Sequence, residues 1–142
     1  MRKLCTIGYE GADIDDFLQT LIDANIHVLI DVRELPMSRR KGFSKTALKA
    51  SLANAGIDYQ HERQLGSPRD IRRQLREDWN YTRFFLDYDK HLSQHTGLLQ
   101  KLSKDLRGNV ALMCYEKDHS QCHRASVVDA LAALANKTPI HL

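Results

Sequence analysis

The heptad "HVLIDVR" (His27–Arg33) decides the fold. A near-continuous apolar run capped by an acid marks a strand covered on both faces, as in parallel sheets, rather than one with a wet side. Upstream, "KLCTIGY" (Lys3–Tyr9) reads as a first short strand that runs into glycine. Between them, "GADIDDFLQTLIDANI" sets Ile14, Phe17, Leu18, Leu21 and Ile22 at helical spacing behind acids in the first turn. Strand, helix and strand within about 30 residues make a βαβ unit with parallel strands and a right-handed crossover.

Downstream, the loop "ELPMSRRKGF" precedes a helix expected from Ser44, as N-cap, to Ala55, stopped by Gly56. "IDYQH" is a third strand, Ser67 to about Lys104 is helical and polar-rich, and "GNVALMCYE" is another buried strand. A last helix is expected from about Cys122 to Ala135, with Val127, Val128, Leu131 and Leu134 as its apolar stripe. The fold class is therefore α/β: a three-layer or two-layer sandwich around a mainly parallel sheet of about four strands. No linker or repeat divides the chain, so residues 1–142 are expected to form a single domain.

Composition bounds the function. With 42% apolar and 27% charged residues the chain can bury a real core, and no apolar run reaches the roughly 20 residues that span a bilayer. The N-terminus lacks the long apolar segment of a signal peptide, and three cysteines cannot pair fully, so a cytoplasmic location and no membrane partner are expected. The net charge of +3 is modest but unevenly placed. Arg33 to Lys49 holds six basic residues against Glu34, and Arg63 to Arg76 holds five arginines against Asp70. Such clusters suit DNA or another phosphate-bearing ligand, and equally a solvated surface.

Parallel strands end on one edge, where the loops that follow build ligand sites. Four strands here end in polar groups: Tyr9-Glu10, Asp31 and Arg33, His61, and Cys114-Tyr115-Glu116. Asp31 is either a catalytic carboxylate or a buried partner of Arg33. Glu116 is a general base, an electrostatic stabiliser of a sugar-centred transition state, or a cap for nearby amides. His61 binds phosphate, shuttles a proton or serves structurally, while Tyr9 and Phe43 either stack a nucleobase or pack in the core. Ser38, Arg39, Arg40 and Gly42 fill the loop after the second strand.

Within "MCYEKDHSQCHRAS" (Met113–Ser126), Arg124 at a helix start suits an anion, and Cys122 there suits a lowered thiol pKa. Cys114, His119, Cys122 and His123 are metal-ligand types, but their spacings of five, eight and nine from Cys114 are not those of paired zinc ligands. The adjacent Cys122 and His123 are also expected to project apart, so no metal or other cofactor is assigned. Cys5 and Cys114 read as small core residues.

The motifs "TIGYEG", "LIDVRELPMSRRKGFSK", "YQHERQLG" and "ALMCYEKDHSQCHR" resemble, in order and wording, the bacterial and archaeal family called domain of unknown function 488. The resemblance runs from about Thr6 to Leu134 and implies an α/β sandwich. Some members of that family are described as DNA N-glycosylases that excise 5-hydroxymethylated pyrimidines, which makes this a candidate activity. By analogy Tyr9, Glu10, Asp31, Arg33, Ser38, Arg39, Gly42, Phe43, His61, Cys114, Glu116, Cys122, His123 and Arg124 would line the site.

The leading expectation is a nucleic-acid-processing hydrolase. Asp31 or Glu116 would act on water or the sugar, with Tyr9 and His61 as further catalytic candidates. Glu10, Arg33, Ser38, Gly42, Phe43, Cys122, His123 and Arg124 would bind substrate, and Arg39, Arg40 and the Arg69–Arg76 helix would hold the backbone. A thiol transferase is a second reading, because "LIDVRE" looks like the strand-end motif of rhodanese-type domains; the tight cysteine-to-arginine loop of that group is missing. A non-catalytic nucleic-acid or nucleotide binder is the third.

Overall fold

A computed structural model describes all 142 residues. The chain runs β1 (Lys3–Gly8), α1 (Ile14–Asp23), β2 (Val28–Asp31), α2 (Lys45–Asn54), β3 (Asp58–His61), α3 (Arg69–Asp78), α4 (Tyr81–Leu92), α5 (Thr96–Asp105), β4 (Asn109–Cys114), α6 (Arg124–Ala135) and β5 (Ile140–His141). The five strands form one sheet in the order β3-β2-β4-β1-β5, and every pairing is parallel.

Alternation along the strands splits the core into two layers. Leu4, Ile30, Val110, Leu112 and Cys114 face one side, packed under Tyr88 and Leu92 of α4, Leu99 and Leu102 of α5, and Val127, Val128 and Leu131 of α6. Cys5, Ile7, Leu29, Ala111 and Met113 face the other, against Phe17 and Leu21 of α1 and Leu48 and Leu52 of α2. The architecture is thus a three-layer sandwich. Such buried side chains contribute about 1.5–3 kcal/mol each relative to leaving them in water.

Crossover direction places the crevice. From β1 and β2 the chain leaves to α1 and α2 on one face, whereas from β4 it leaves to α6 on the other. Because β4 lies between β1 and β2, its carboxyl end is where neighbouring loops part, the position at which open α/β sheets bind ligands.

Several local details differ from expectation. Ser44 stands at the N-cap of α2, but its hydroxyl is occupied by Ser38, accepting from that residue's N–H at 3.0 Å and donating to its carbonyl at 3.1 Å. Helix α6 begins at Arg124 rather than Cys122, because a 3-10 turn over His119–Gln121 leaves Cys122 extended. The C-terminal tail supplies a fifth, edge strand: Ile140 and His141 pair with Cys5 and Thr6 of β1. Helix α3 buries no residue fully and lies on the surface.

Candidate functional site

At the carboxyl end of β4 a cleft of about 610 Å³ opens, lined from six directions. Tyr9 and Glu10 enter from β1, Cys114, Tyr115 and Glu116 from β4, and Glu34, Leu35 and Met37 from the loop after β2. Arg72, Leu75, Arg76 and Trp79 come from α3 and its end, Tyr81 and Phe84 from α4, and Gln121 and His123 from the turn before α6.

Glycine brings the first two strands' loops together. A Cβ on Gly8 would lie 1.8 Å from the Glu116 carbonyl oxygen, so only glycine allows β1 to end beside the loop that carries Glu116. Pairing then continues past the strand ends: Tyr9 N–H donates to Cys114 at 3.3 Å and Glu10 N–H to Tyr115 at 2.8 Å. Glu10 in turn accepts from the Lys117 N–H at 3.0 Å. Glu116 is half-buried, and its Oε2 is shielded from solvent without a hydrogen-bond partner. Burial first, then the charges of Glu116, Glu10 and Asp118, push the Tyr81 phenol up, which places that hydroxyl within the field of all three acids.

Asp31 does not face Glu116. Ile30 and Val32 pack toward α4 and α6, so strand parity turns Leu29 and Asp31 toward α1 and α2, the opposite layer from Cys114. The Asp31 carboxylate is fully buried and accepts four hydrogen bonds: Arg33 N–H at 3.1 Å, Arg33 Nε at 2.9 Å, Arg33 Nη2 at 2.7 Å and Tyr59 Oη at 2.6 Å. With its lone-pair sites filled it is an anchor, and the catalytic expectation for Asp31 is withdrawn. Burial alone would lower the Arg33 pKa, but the hydrogen bonds and charge of Asp31, with help from Tyr9, outweigh it and raise it. Burial and the bond to Asp31 push Tyr59 upward as well.

Arg33 spends its remaining donors on the Phe43 carbonyl at 2.7 Å and the Tyr9 hydroxyl at 3.2 Å. Tyr9 lies flat on Phe43, ring centroids 4.5 Å apart, and Phe43 is completely buried. The expected base-stacking role of Phe43 is therefore replaced by core packing, and the Tyr9 ring offers the cleft only an edge. Gly42 holds a turn at φ +92°, against Ile14, and does not line the cleft. His61 binds the Arg33 carbonyl through Nε2 at 2.7 Å, outside the cleft. Ser38 accepts from the Arg40 N–H at 3.1 Å and orders the loop, leaving Arg39, Arg40 and Lys41 exposed on it.

The end of the quoted motif is also inward-looking. Arg124 is buried, and its guanidinium donates to the Glu116 and Lys117 carbonyls, the latter at 3.2 Å, so the fork fixes the Glu116 loop instead of an external anion. Cys122 is buried, and burial followed by Cys114 pushes its thiol well up. Cys122 is therefore not the accessible, low-pKa thiol that the thiol-transfer reading placed there. Contrary to expectation, Cys122 and His123 converge: with Cys114 they place ligand atoms within 4.8 Å of one another, all three residues buried.

Trp79, Tyr81, Leu35 and Met37 were not among the expected site residues, yet they line the cleft, as does Tyr115 from the polar end of β4. Trp79, Tyr115, Leu35 and Met37 are markedly exposed, with Trp79 61% accessible. The signal for this wall was the arginine spacing Arg69, Arg72, Arg73, Arg76, one basic face of a helix that ends at Trp79.

The fold is an open-sheet α/β domain with a cleft at the carboxyl end of a central strand. The chain belongs to the family described as domain of unknown function DUF488, whose model matches residues 13–131. Three of the four quoted motifs fall inside that match, and "TIGYEG" precedes it. No curated protein and no solved structure matches the chain.

Proposed function

We propose that the protein is a nucleic-acid-processing hydrolase, a DNA N-glycosidase whose substrate is a 5-hydroxymethylated pyrimidine. The observation that carries this reading is the Glu116 carboxylate, whose Oε2 lacks any partner in a cleft walled by aromatic rings and arginines. A buried acceptor left unpaired costs about 1–3 kcal/mol, which a positioned water or sugar hydroxyl would recover.

The cleft volume lies within the range of sites that bury a small molecule, so a base turned out of the stack fits it. Exposed Trp79 and Tyr115 offer ring faces to that base. Exposed Arg39, Arg40 and Lys41 follow the cleft residue Met37 in the loop, and exposed Arg69, Arg73 and Arg76 share the helix whose Arg72 and Arg76 line the cleft, so both segments suit the phosphate backbone. In the chemical step Glu116 takes a proton from water as the water oxygen bonds to the sugar C1′. The C1′–N bond breaks, its electron pair leaves on the base, and the Tyr81 hydroxyl donates a hydrogen bond to that departing anion. The Glu116 charge also offsets the oxocarbenium-like sugar.

The test is incubation of the full chain with single- and double-stranded DNA carrying natural or hydroxymethylated pyrimidines, with mass spectrometry of the released base. Free hydroxymethylated base is the expected product. DNA bound tightly but left intact across a range of salt would favour a non-catalytic binder.

A further inference from the structure

We propose that Cys114, Cys122 and His123 form a zinc site of the catalytic type, with three protein ligands and a fourth position open to the cleft. The proposal stands apart from the choice of substrate. Its first support is distance. His123 Nδ1 lies 3.8 Å from the Cys114 Sγ and 3.9 Å from the Cys122 Sγ. Around a tetrahedral zinc ion with Zn–S of about 2.3 Å and Zn–N of about 2.0 Å, sulfur and nitrogen ligands stand about 3.5 Å apart. All three ligand atoms lie within 4.8 Å of one another, so rotation of the Cys114 side chain with small shifts of its partners would close them on an ion.

The second support is the shell around them. His123 Nε2 lies 2.7 Å from the Val32 carbonyl, which fixes the ring with Nε2–H as donor and leaves Nδ1 unprotonated beside Cys122, while the Cys114 Sγ, 3.8 and 4.0 Å from the two ring nitrogens, lies against the ring and would rotate to reach an ion. That arrangement, one ring nitrogen on a carbonyl and the other free to ligate, is how metal-bound histidines are oriented. The Arg124 N–H, at the first turn of α6, points at the Cys122 Sγ at 3.5 Å, a donor and a dipole end that favour thiolate. Tyr88 walls the cluster, its ring 5.1 Å from the His123 ring and its hydroxyl bound to the Leu65 carbonyl at 2.6 Å.

The third is access. Cys114 and His123 line the cleft and Cys122 lies behind them, so an ion at their centre would present one face to the cleft. Glu116 is not part of the cluster, which leaves the fourth position for water or a substrate atom. Two thiolates and a neutral imidazole balance a dipositive ion, and two protons leave the thiols as it enters. This soft sulfur and nitrogen set selects zinc over magnesium or calcium. Sequence spacing hid the site because Cys114 comes from a strand end and its partners from the loop-to-helix corner beyond the 3-10 turn.

The full chain, without a histidine tag, is purified from zinc-supplemented cells and its metal measured by mass spectrometry, then replaced by cobalt. One zinc per chain and the strong visible absorption of tetrahedral thiolate-bound cobalt are expected. Cys122→Ser and His123→Gln should weaken zinc binding more than tenfold, while Cys5→Ser, on the other face of the sheet, keeps it. Azide should perturb the cobalt spectrum through the open position. Zinc-free protein that also fails to take up cobalt would overturn the site, as would a Cys114–Cys122 disulfide in protein purified under nitrogen. If the ligand variants fold poorly, the cobalt spectrum of the unaltered chain still decides: thiolate charge transfer supports the site and its absence overturns it.

Discussion

Two carboxylates in this chain look alike in sequence and do opposite work. Asp31 is the counter-ion of a buried arginine, and Glu116 is an unpartnered group in a cleft. Asp31→Asn leaves the Arg33 guanidinium buried beside a neutral amide, and should cost about 3–5 kcal/mol of stability in urea titrations. Glu116→Gln breaks no hydrogen bond of its side chain and should stay within about 0.5 kcal/mol of the unaltered chain. Tyr59 adds a pH dependence. Its folded pKa is raised, so the folded state keeps the phenolic proton after the unfolded chain has lost it. That contribution is complete below about pH 10 and is lost as pH rises further. Denaturation midpoints should fall above that pH, and Tyr59→Phe should flatten the fall at the expense of a hydrogen bond. The sequence already offered both roles for Asp31, since an acid and an arginine two positions apart at a strand end can pair. Which role it takes depends on the sheet face it occupies.

Among the elements, β2 and β4 were legible because strands buried on both faces are apolar throughout, and α1 because its apolar stripe and first-turn acids are strong, with the Asp13 cap added by the structure. Strand β5 was not legible. Two residues carry no periodicity, and the strand exists through contacts from the other end of the chain: His141 Nδ1 to Thr6 Oγ1 at 2.6 Å, the Leu142 N–H to the Thr6 carbonyl at 2.8 Å, and a ring stack on His119 at 3.5 Å. Burial, then His119 and Arg124, hold the His141 pKa below its ordinary value, with Asp129 opposing. The docked tail therefore excludes the proton that the free tail binds, and its stability is lost as pH falls below about 6.5. The protection factor of the Leu142 amide, its exchange rate relative to a free amide at the same pH, should fall as pH drops from about 7.5 to about 5.5, and His141→Gln should abolish most of that dependence. A protection factor that is flat across this range would contradict the account.

Over the whole molecule, the sheet edge was legible as the place where a cleft forms, while the lining of that cleft was not. Four strand ends were known to carry polar groups, but period-two parity sends Asp31 under α1 and α2 and Cys114 under α4 and α6, while Arg33, past the end of β2, pairs with Asp31 and still lines the cleft. Parity acts only once strand order and crossover faces are fixed, and those arise from contacts far apart in sequence. Two exposed basic segments, Arg39 to Lys41 and the arginines of α3, continue from residues that line the cleft, Met37 on one and Arg72 and Arg76 on the other. If these hold DNA, Arg39→Gln with Arg40→Gln should weaken binding evenly across sequences and reduce the salt slope by about one unit per residue. An affinity that ignores salt would speak against the polymer as ligand. The central claim is that Glu116 drives bond breakage in this cleft, and single-turnover release of hydroxymethylated base from duplex DNA measures it most directly. Glu116→Gln is predicted to fold like the unaltered chain and release base about 10²–10⁴-fold more slowly. Release at an unchanged rate by that variant would contradict the account.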